Sequence, residues 1–91
     1  MDFKISSVYR AIMIDGDYCY RQGREAEEQC FYYQAKDWFS KACKRFAEAE
    51  SVVSEHDEKK ANLAKRKKIA SNKKQLEMRK KLYSKINMLD L

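Results

Sequence analysis

Apolar residues recur most regularly between Cys30 and Val53. Tyr32, Ala35, Phe39, Ala42, Phe46, Ala49 and Val53 step alternately by three and four. That is a heptad seam and predicts a helix over about 30–53. Alanine holds one seam position and Tyr, Phe, Phe and Val the other. Small residues at every seventh place let a neighbouring helix approach closely. Phe31, Trp38 and Val52 widen the apolar face, so this helix is expected to touch two neighbours.

A first helix is predicted over about 6–28. Ile5, Val8, Ile12 and Cys19 follow three-four spacing, with Tyr9, Gly16 and Gly23 on an adjacent line. Gly16, Cys19, Gly23 and Ala26 are suitable small counterparts for the second seam. Asp15-Gly16-Asp17 weakens the middle, because Gly and Asp are poor helix formers. From Arg21 to Gln29 the chain turns polar and reads as a solvated last turn, a loop or a continuing helix. Stepping back from Tyr32 by sevens lands on Glu25, so the two seams are out of phase. Three helices are therefore favoured over a hairpin in which 6–53 form one helix.

Ser54-Glu55-His56-Asp57 resembles a capping box, with Ser54 accepting from a backbone amide near Asp57. The third helix is predicted over about 55–87. Its apolar seam is thin: Ile69, Leu76 and Tyr83 at sevens, helped by Leu63, Leu82 and Ile86, with Lys65, Asn72 and Arg79 in the companion position. Met88 to Leu91 read as a frayed end. The expected fold is all-α: one domain over 1–91, a small three-helix bundle or long helical hairpin with an extended basic C-terminal helix. Absence of Pro and only two Gly agree with this class. A seam so sparse leaves apolar surface that a homodimer could cover.

Charge is divided unevenly. Residues 1–54 carry eight basic and nine acidic side chains; residues 55–91 carry twelve and five, which together make the net +6. Between Lys59 and Lys85 a single acid, Glu77, stands among twelve Lys and Arg. Lys59-Lys60, Arg66-Lys67, Lys73-Lys74 and Lys80-Lys81 recur every seven residues, a ribbon down one side of a helix. From Lys59 to Lys81 it spans roughly 33 Å at helical rise. Such a ribbon suits the backbone of RNA or DNA or an acidic protein surface. The competing reading is a merely solvated helix, which usually interleaves Glu to gain i,i+4 pairs.

Seven aromatics lie within residues 18–39, more than so small a core can hold. Tyr18, Tyr20, Tyr33, Trp38 and Tyr83 are candidate protein-interface residues, since Tyr and Trp are preferred anchors. No nucleophile or second His accompanies His56, no glycine loop cradles phosphate, and Cys19, Cys30 and Cys43 lack metal-site spacing. These cysteines are expected to fill small core positions. No enzyme activity, cofactor or metal is expected. An odd number of cysteines and the absence of an apolar leader or span point to a reduced, cytoplasmic protein.

The stretch Tyr32-x-x-Ala35-x-x-x-Phe39-x-x-Ala42 resembles the helix pattern of tetratricopeptide repeats and of MIT (microtubule-interacting and trafficking) domains. Gln34-Ala35, Asp37 and Lys41-Ala42 are also similar to a helix of HEPN domains. The likeness covers some fifteen residues and fits three unrelated families, so it marks the general grammar of close-packed helices. HEPN ribonucleases would also need Arg four to six residues before His; His56 has none. The leading expectation is a non-enzymatic interaction protein that binds and regulates a macromolecular partner, using its basic helix for attachment. Alternatives are a nucleic-acid-binding protein that reads backbone rather than bases, and a structural subunit of a helical oligomer.

Overall fold

A computed structural model describes residues 3–89, with side chains described to residue 84. Three helices follow in order: α1 (Phe3–Glu28), α2 (Tyr32–Val53) and α3 (Glu58–Leu89). They form an elongated all-α bundle of 57 × 18 × 13 Å. The middle helix packs along both others, while the backbones of α1 and α3 barely approach one another. The broad apolar face of α2 is thus shared between two neighbours.

The α2 seam is buried along its length. Ala35, Phe39, Ala42, Phe46, Ala49 and Val53 are all enclosed, and Tyr32 at its open end is half-buried. Enclosing a Phe contributes about 2–3 kcal/mol by area removed from water. The facing line on α1 is Tyr9, Met13, Gly16, Cys19, Gly23 and Ala26. A Cβ on Gly16 would sit 2.6 Å from Phe46 Cε1, and one on Gly23 would sit 2.7 Å from Phe39 Cδ1. Each glycine therefore accommodates one phenylalanine ring of the antiparallel α2. Val8 lies outside this face and is exposed, as is Phe31.

The Asp15-Gly16-Asp17 stretch does not break α1, because tertiary pairing offsets its low propensity. Asp15 Oδ2 meets Arg45 Nε at 2.6 Å, and Asp17 Oδ1 meets Lys67 Nζ at 2.7 Å. The polar stretch after Arg21 continues as helix to Glu28. There the chain turns through a Schellman arrangement: Phe31 N–H donates to Ala26 O and Cys30 N–H to Glu27 O, both at 2.9 Å. Cys30 has φ 63°, the left-handed conformation that reverses the chain. This turn separates α1 from α2 and rules out the two-helix hairpin. It also removes Cys30 from the expected core: its side chain is exposed, Cys43 is half-buried, and Cys19 is buried.

The second turn differs from the expected capping box. Ser54 ends α2, and its hydroxyl donates to Ser51 O at 3.2 Å. Asp57 is the residue that caps α3, its Oδ1 accepting from Lys60 N–H at 3.2 Å. The third helix consequently starts at Glu58 rather than near 55, and it runs through Met88 to Leu89. Asp90 and Leu91, the rest of the expected frayed end, lie outside the described residues.

The inward face of α3 is the main correction. Ile69, Leu76 and Tyr83 do not face the core; they are 57, 46 and 65% exposed, and Leu63 is also exposed. Leu82 is half-buried, and the side chain of Ile86 lies outside those described. The enclosed line is Ala64, Ser71 and Met78. Its companions are Lys60, Lys67, Lys74 and Lys81, which reach over aromatic rings. Read as 60, 64, 67, 71, 74, 78 and 81, α3 has a regular heptad seam in which one of the two positions is always lysine. Ser71 keeps its buried hydroxyl satisfied by donating to Lys67 O at 2.8 Å.

Candidate interaction surfaces on a lysine-seamed helix

The periodic Lys/Arg doublets of α3 divide into two rows with different work. The second members turn inward. Lys60 Nζ lies 5.4 Å from the centre of the Tyr9 ring, Lys67 5.7 Å from Phe46, Lys74 5.9 Å from Phe39, and Lys81 5.0 Å from Tyr32. Because α2 and α3 run antiparallel with matched heptads, each step of seven along α3 from Lys67 to Lys81 meets a step of seven back along α2, while Lys60 reaches Tyr9 of α1. The lysine stems cover ring surface while their ammonium groups reach acids of α1 or the solvent edge.

Those acids complete the row. Lys74 Nζ contacts Glu27 Oε1 and Oε2 at 2.9 and 3.1 Å, and Lys81 Nζ lies 3.7 Å from Glu27 Oε2. Lys67 holds Asp17, and Lys60 Nζ lies 3.4 Å from Ser6 Oγ. The Tyr9 hydroxyl donates to Lys60 O at 3.1 Å. Side chains of α3 thus bridge to α1 where the two backbones do not pack. The hydrogen bond to Glu27 raises the Lys74 pKa above the ordinary lysine value, against the opposing effect of burial. Burial, helped by Asp57 and Asp17, raises that of Tyr9. On the other flank of α3, Lys68 Nζ pairs with Glu50 Oε1 at 2.6 Å.

The first members turn outward. Lys59, Arg66, Lys73 and Lys80 are exposed and form no ion pair among the described residues, as are Lys65 and Arg79. Three of these cations stand three residues before the exposed apolar row: Arg66 before Ile69, Lys73 before Leu76, Lys80 before Tyr83. Four residues before the same row stand Lys65, Asn72 and Arg79. Positions i−3 and i−4 lie on opposite sides of residue i on one helix face. The outward face of α3 is therefore an apolar line about 21 Å long, by helical rise, with cations along both edges. Its one nearby acid, Glu77, lies off this face, half-buried and 3.7 Å from Lys74 Nζ.

The aromatic candidates fall in three places. Tyr20 is half-buried and packs edge-on against Phe39, with ring centres 5.3 Å apart. Tyr18 and Trp38 meet edge-on at 6.0 Å in the outer α1–α2 groove, where Lys41 Nζ lies 4.7 Å from the Trp38 ring. Arg45 lines the same groove, held by Glu48 and Asp15. Tyr33 and Tyr83, fifty residues apart in sequence, line one cleft between the start of α2 and the end of α3 together with Lys36, Leu82 and Arg79. Lys36 Nζ stands 4.6 Å from the Tyr33 ring centre. Five scattered aromatics thus become one core contact and two surface patches.

Sequence spacing does show that the doublets share a side of α3. It does not show that the pair straddles the boundary between core and solvent. The signal for that was available: Ala64, Ser71 and Met78 also recur at sevens, and stand four residues after Lys60, Lys67 and Lys74. Small and polar residues at those positions concealed the seam, whereas Ile69, Leu76 and Tyr83 mimicked one.

Among the described residues no cluster of three or more His, Cys, Asp or Glu side chains has metal-binding geometry, and no helix is long and apolar enough to cross a membrane. In comparisons with protein families, curated proteins and solved structures, the chain finds no match.

Proposed function

We propose that this chain is a non-enzymatic interaction protein that binds, and through binding regulates, a macromolecular partner. The observation that carries this reading is the outward face of α3, where exposed cations with no ion pair among the described residues border exposed apolar side chains. Solvation alone accounts for exposed lysine but not for Ile69, Leu76 and Tyr83 aligned between two cationic edges. Exposed apolar rows rimmed by charge are typical of interaction sites. The packed α1–α2 pair then acts as the scaffold that presents α3, and the Tyr18–Trp38 groove is a second, smaller contact surface. Three free thiols agree with a reducing, cytoplasmic setting.

The test compares the wild-type chain with the variant Lys59→Glu, Arg66→Glu, Lys73→Glu, Lys80→Glu as bait in extracts of its own cells. These side chains are exposed and form no ion pair or hydrogen bond among the described residues, so the variant is expected to keep its helicity and melting behaviour. Partners captured reproducibly by the wild type and lost by the variant support the reading. Identical recoveries with both baits overturn it.

A second reading, nucleic-acid binding, is favoured by the cleft that joins Tyr33 and Tyr83 to Lys36 and Arg79. Aromatic faces beside cations stack unpaired bases, and the outward cations would follow the backbone. Anisotropy of labelled single-stranded and duplex RNA and DNA over a salt series tests it. Tight binding with a steep salt slope, reduced by Tyr33→Ala, supports it. Binding that vanishes near physiological salt removes it.

A further inference from the structure

We infer that the outward face of α3 docks an acidic amphipathic helix of a partner protein, packed along Ile69, Leu76 and Tyr83. The inference rests on the interaction reading above and names the partner's chemistry. A helix laid along this face would bury the apolar row and place its own flanking side chains over both cationic edges. Arg66, Lys73 and Lys80 would meet carboxylates on one side; Lys65 and Arg79 would meet them on the other. This is the arrangement of a coiled-coil seam, in which the core row supplies burial and the flanking charges select the partner.

Charge complementarity decides among occupants. A second copy of the chain would set cations against cations along both edges, with no acid on the face among the described residues to relieve them. The acids along the bundle, Asp15, Asp17, Glu27, Glu48 and Glu50, are engaged by Arg45, Lys67, Lys74 and Lys68. The exposed Glu25 and Glu28 at the end of α1, and Glu55 and Glu58 at the α2–α3 turn, stand at the two ends of the bundle and do not form an acidic row to match a heptad face. An anionic bilayer would satisfy the cations, but an interfacial helix needs a broad apolar face, and this row is one residue wide. A nucleic-acid backbone would neutralise the charges and leave Ile69 and Leu76 in water. An acidic helix with apolar residues at heptad spacing satisfies both features together.

The probe is a labelled synthetic peptide of about four heptads with Leu at the two core positions and Glu at the flanking ones. Its controls are a scrambled peptide of the same composition and a polyglutamate of equal length. Anisotropy at near-physiological salt is expected to show the heptad peptide binding at least about tenfold more tightly than either control. The variant Ile69→Asp, Leu76→Asp should lose that binding by at least about tenfold while its circular dichroism and melting are unchanged, since both side chains are exposed.

Equal affinity for polyglutamate and the heptad peptide would overturn the inference, leaving only unspecific charge attraction. No binding of the heptad peptide would overturn it as well. Tighter binding to a duplex or to anionic vesicles would do so in favour of those surfaces. A concentration-dependent mass in light scattering that the Asp variant abolishes would show a second copy on the face. Failure here, with charge-dependent capture of partners intact, refutes the acidic-helix assignment and leaves the interaction reading standing; failure of both refutes the reading itself.

Discussion

The ring of Phe39 occupies the space that a side chain at position 23 would need. A Cβ on Gly23 would come within 2.7 Å of Phe39 Cδ1, and the ring is fully enclosed. On the ring's α3 side lies Lys74, whose ammonium group is clamped by Glu27. Phe39 is held between a glycine of one neighbour and a lysine of the other, and Phe46 is held in the same way by Gly16 and Lys67.

Gly23→Ala should therefore destabilise the protein although alanine is the better helix former. The propensity gain is about 0.5–1 kcal/mol. Forcing a methyl group against an enclosed ring costs about 1–3 kcal/mol, so a net loss near 1 kcal/mol is expected. Urea unfolding measures the balance. The double change Gly23→Ala, Phe39→Leu should show coupling rather than additive loss.

The seam of α3 predicts a contrast between two residues of similar size. Met78 is fully enclosed and Leu76 is 46% exposed. Met78→Ala should cost about 2–5 kcal/mol. Leu76→Ala, a surface change, should fall within about 0.5 kcal/mol of the wild type. Equal effects in denaturant titration would mean that α3 packs in a different phase.

Lysine at a seam position predicts that ion pairing can be exchanged for hydrophobic packing. Breaking the Lys74–Glu27 pair by Glu27→Ala should lower stability by about 1–2 kcal/mol, between the values for exposed and buried pairs. Lys74→Met, which keeps the stem over Phe39, should cost less than Lys74→Ala. Melting temperatures of the variants order these effects.

Stability should fall in alkali. Cys19, Tyr9 and Lys74 all have pKa values raised in the folded state: Cys19 and Tyr9 chiefly by burial, Lys74 chiefly by its bond to Glu27. The unfolded chain then releases these protons at lower pH than the folded one, so stability declines as pH rises. The contribution is fully present below the ordinary Cys value of 9.0, where the decline begins, and the Tyr and Lys parts follow above 10.0 and 10.5. Urea midpoints from neutral pH upward should show this decline, and Cys19→Ala should remove its earliest portion.

Cys30 adopts φ 63°, a conformation that costs a residue with a side chain about 1–2 kcal/mol relative to right-handed alternatives. Cys30→Gly relieves that strain but loosens the unfolded chain, so a net gain of about 0.5 kcal/mol is expected. Chemical denaturation measures it. The same variant should also remove thiol-linked dimers under oxidising conditions, because Cys30 is the most exposed of the three cysteines.

By itself the sequence determined the helical class, the α2 seam and the glycine line that receives it; it favoured three helices over a hairpin, and the turn at Cys30 decided between them. Local periodicity carries that information, since a helix that buries one face must repeat near every seventh residue. It also determined that the basic doublets share one side of α3. The tertiary structure decided which half of each doublet is internal. Two rows at sevens competed for the core: Ile69, Leu76, Tyr83 and Ala64, Ser71, Met78. Hydrophobicity favours the first. The enclosed aromatic faces of Phe46 and Phe39, and the carboxylates of Asp17 and Glu27 beside them, favour the second, because only that phase brings Lys67 and Lys74 over the rings and within reach of the acids. That choice depends on groups about twenty to fifty residues away, which no local pattern contains. Its consequence is the candidate site: turning the lysine row inward leaves the apolar row facing solvent between two lines of positive charge.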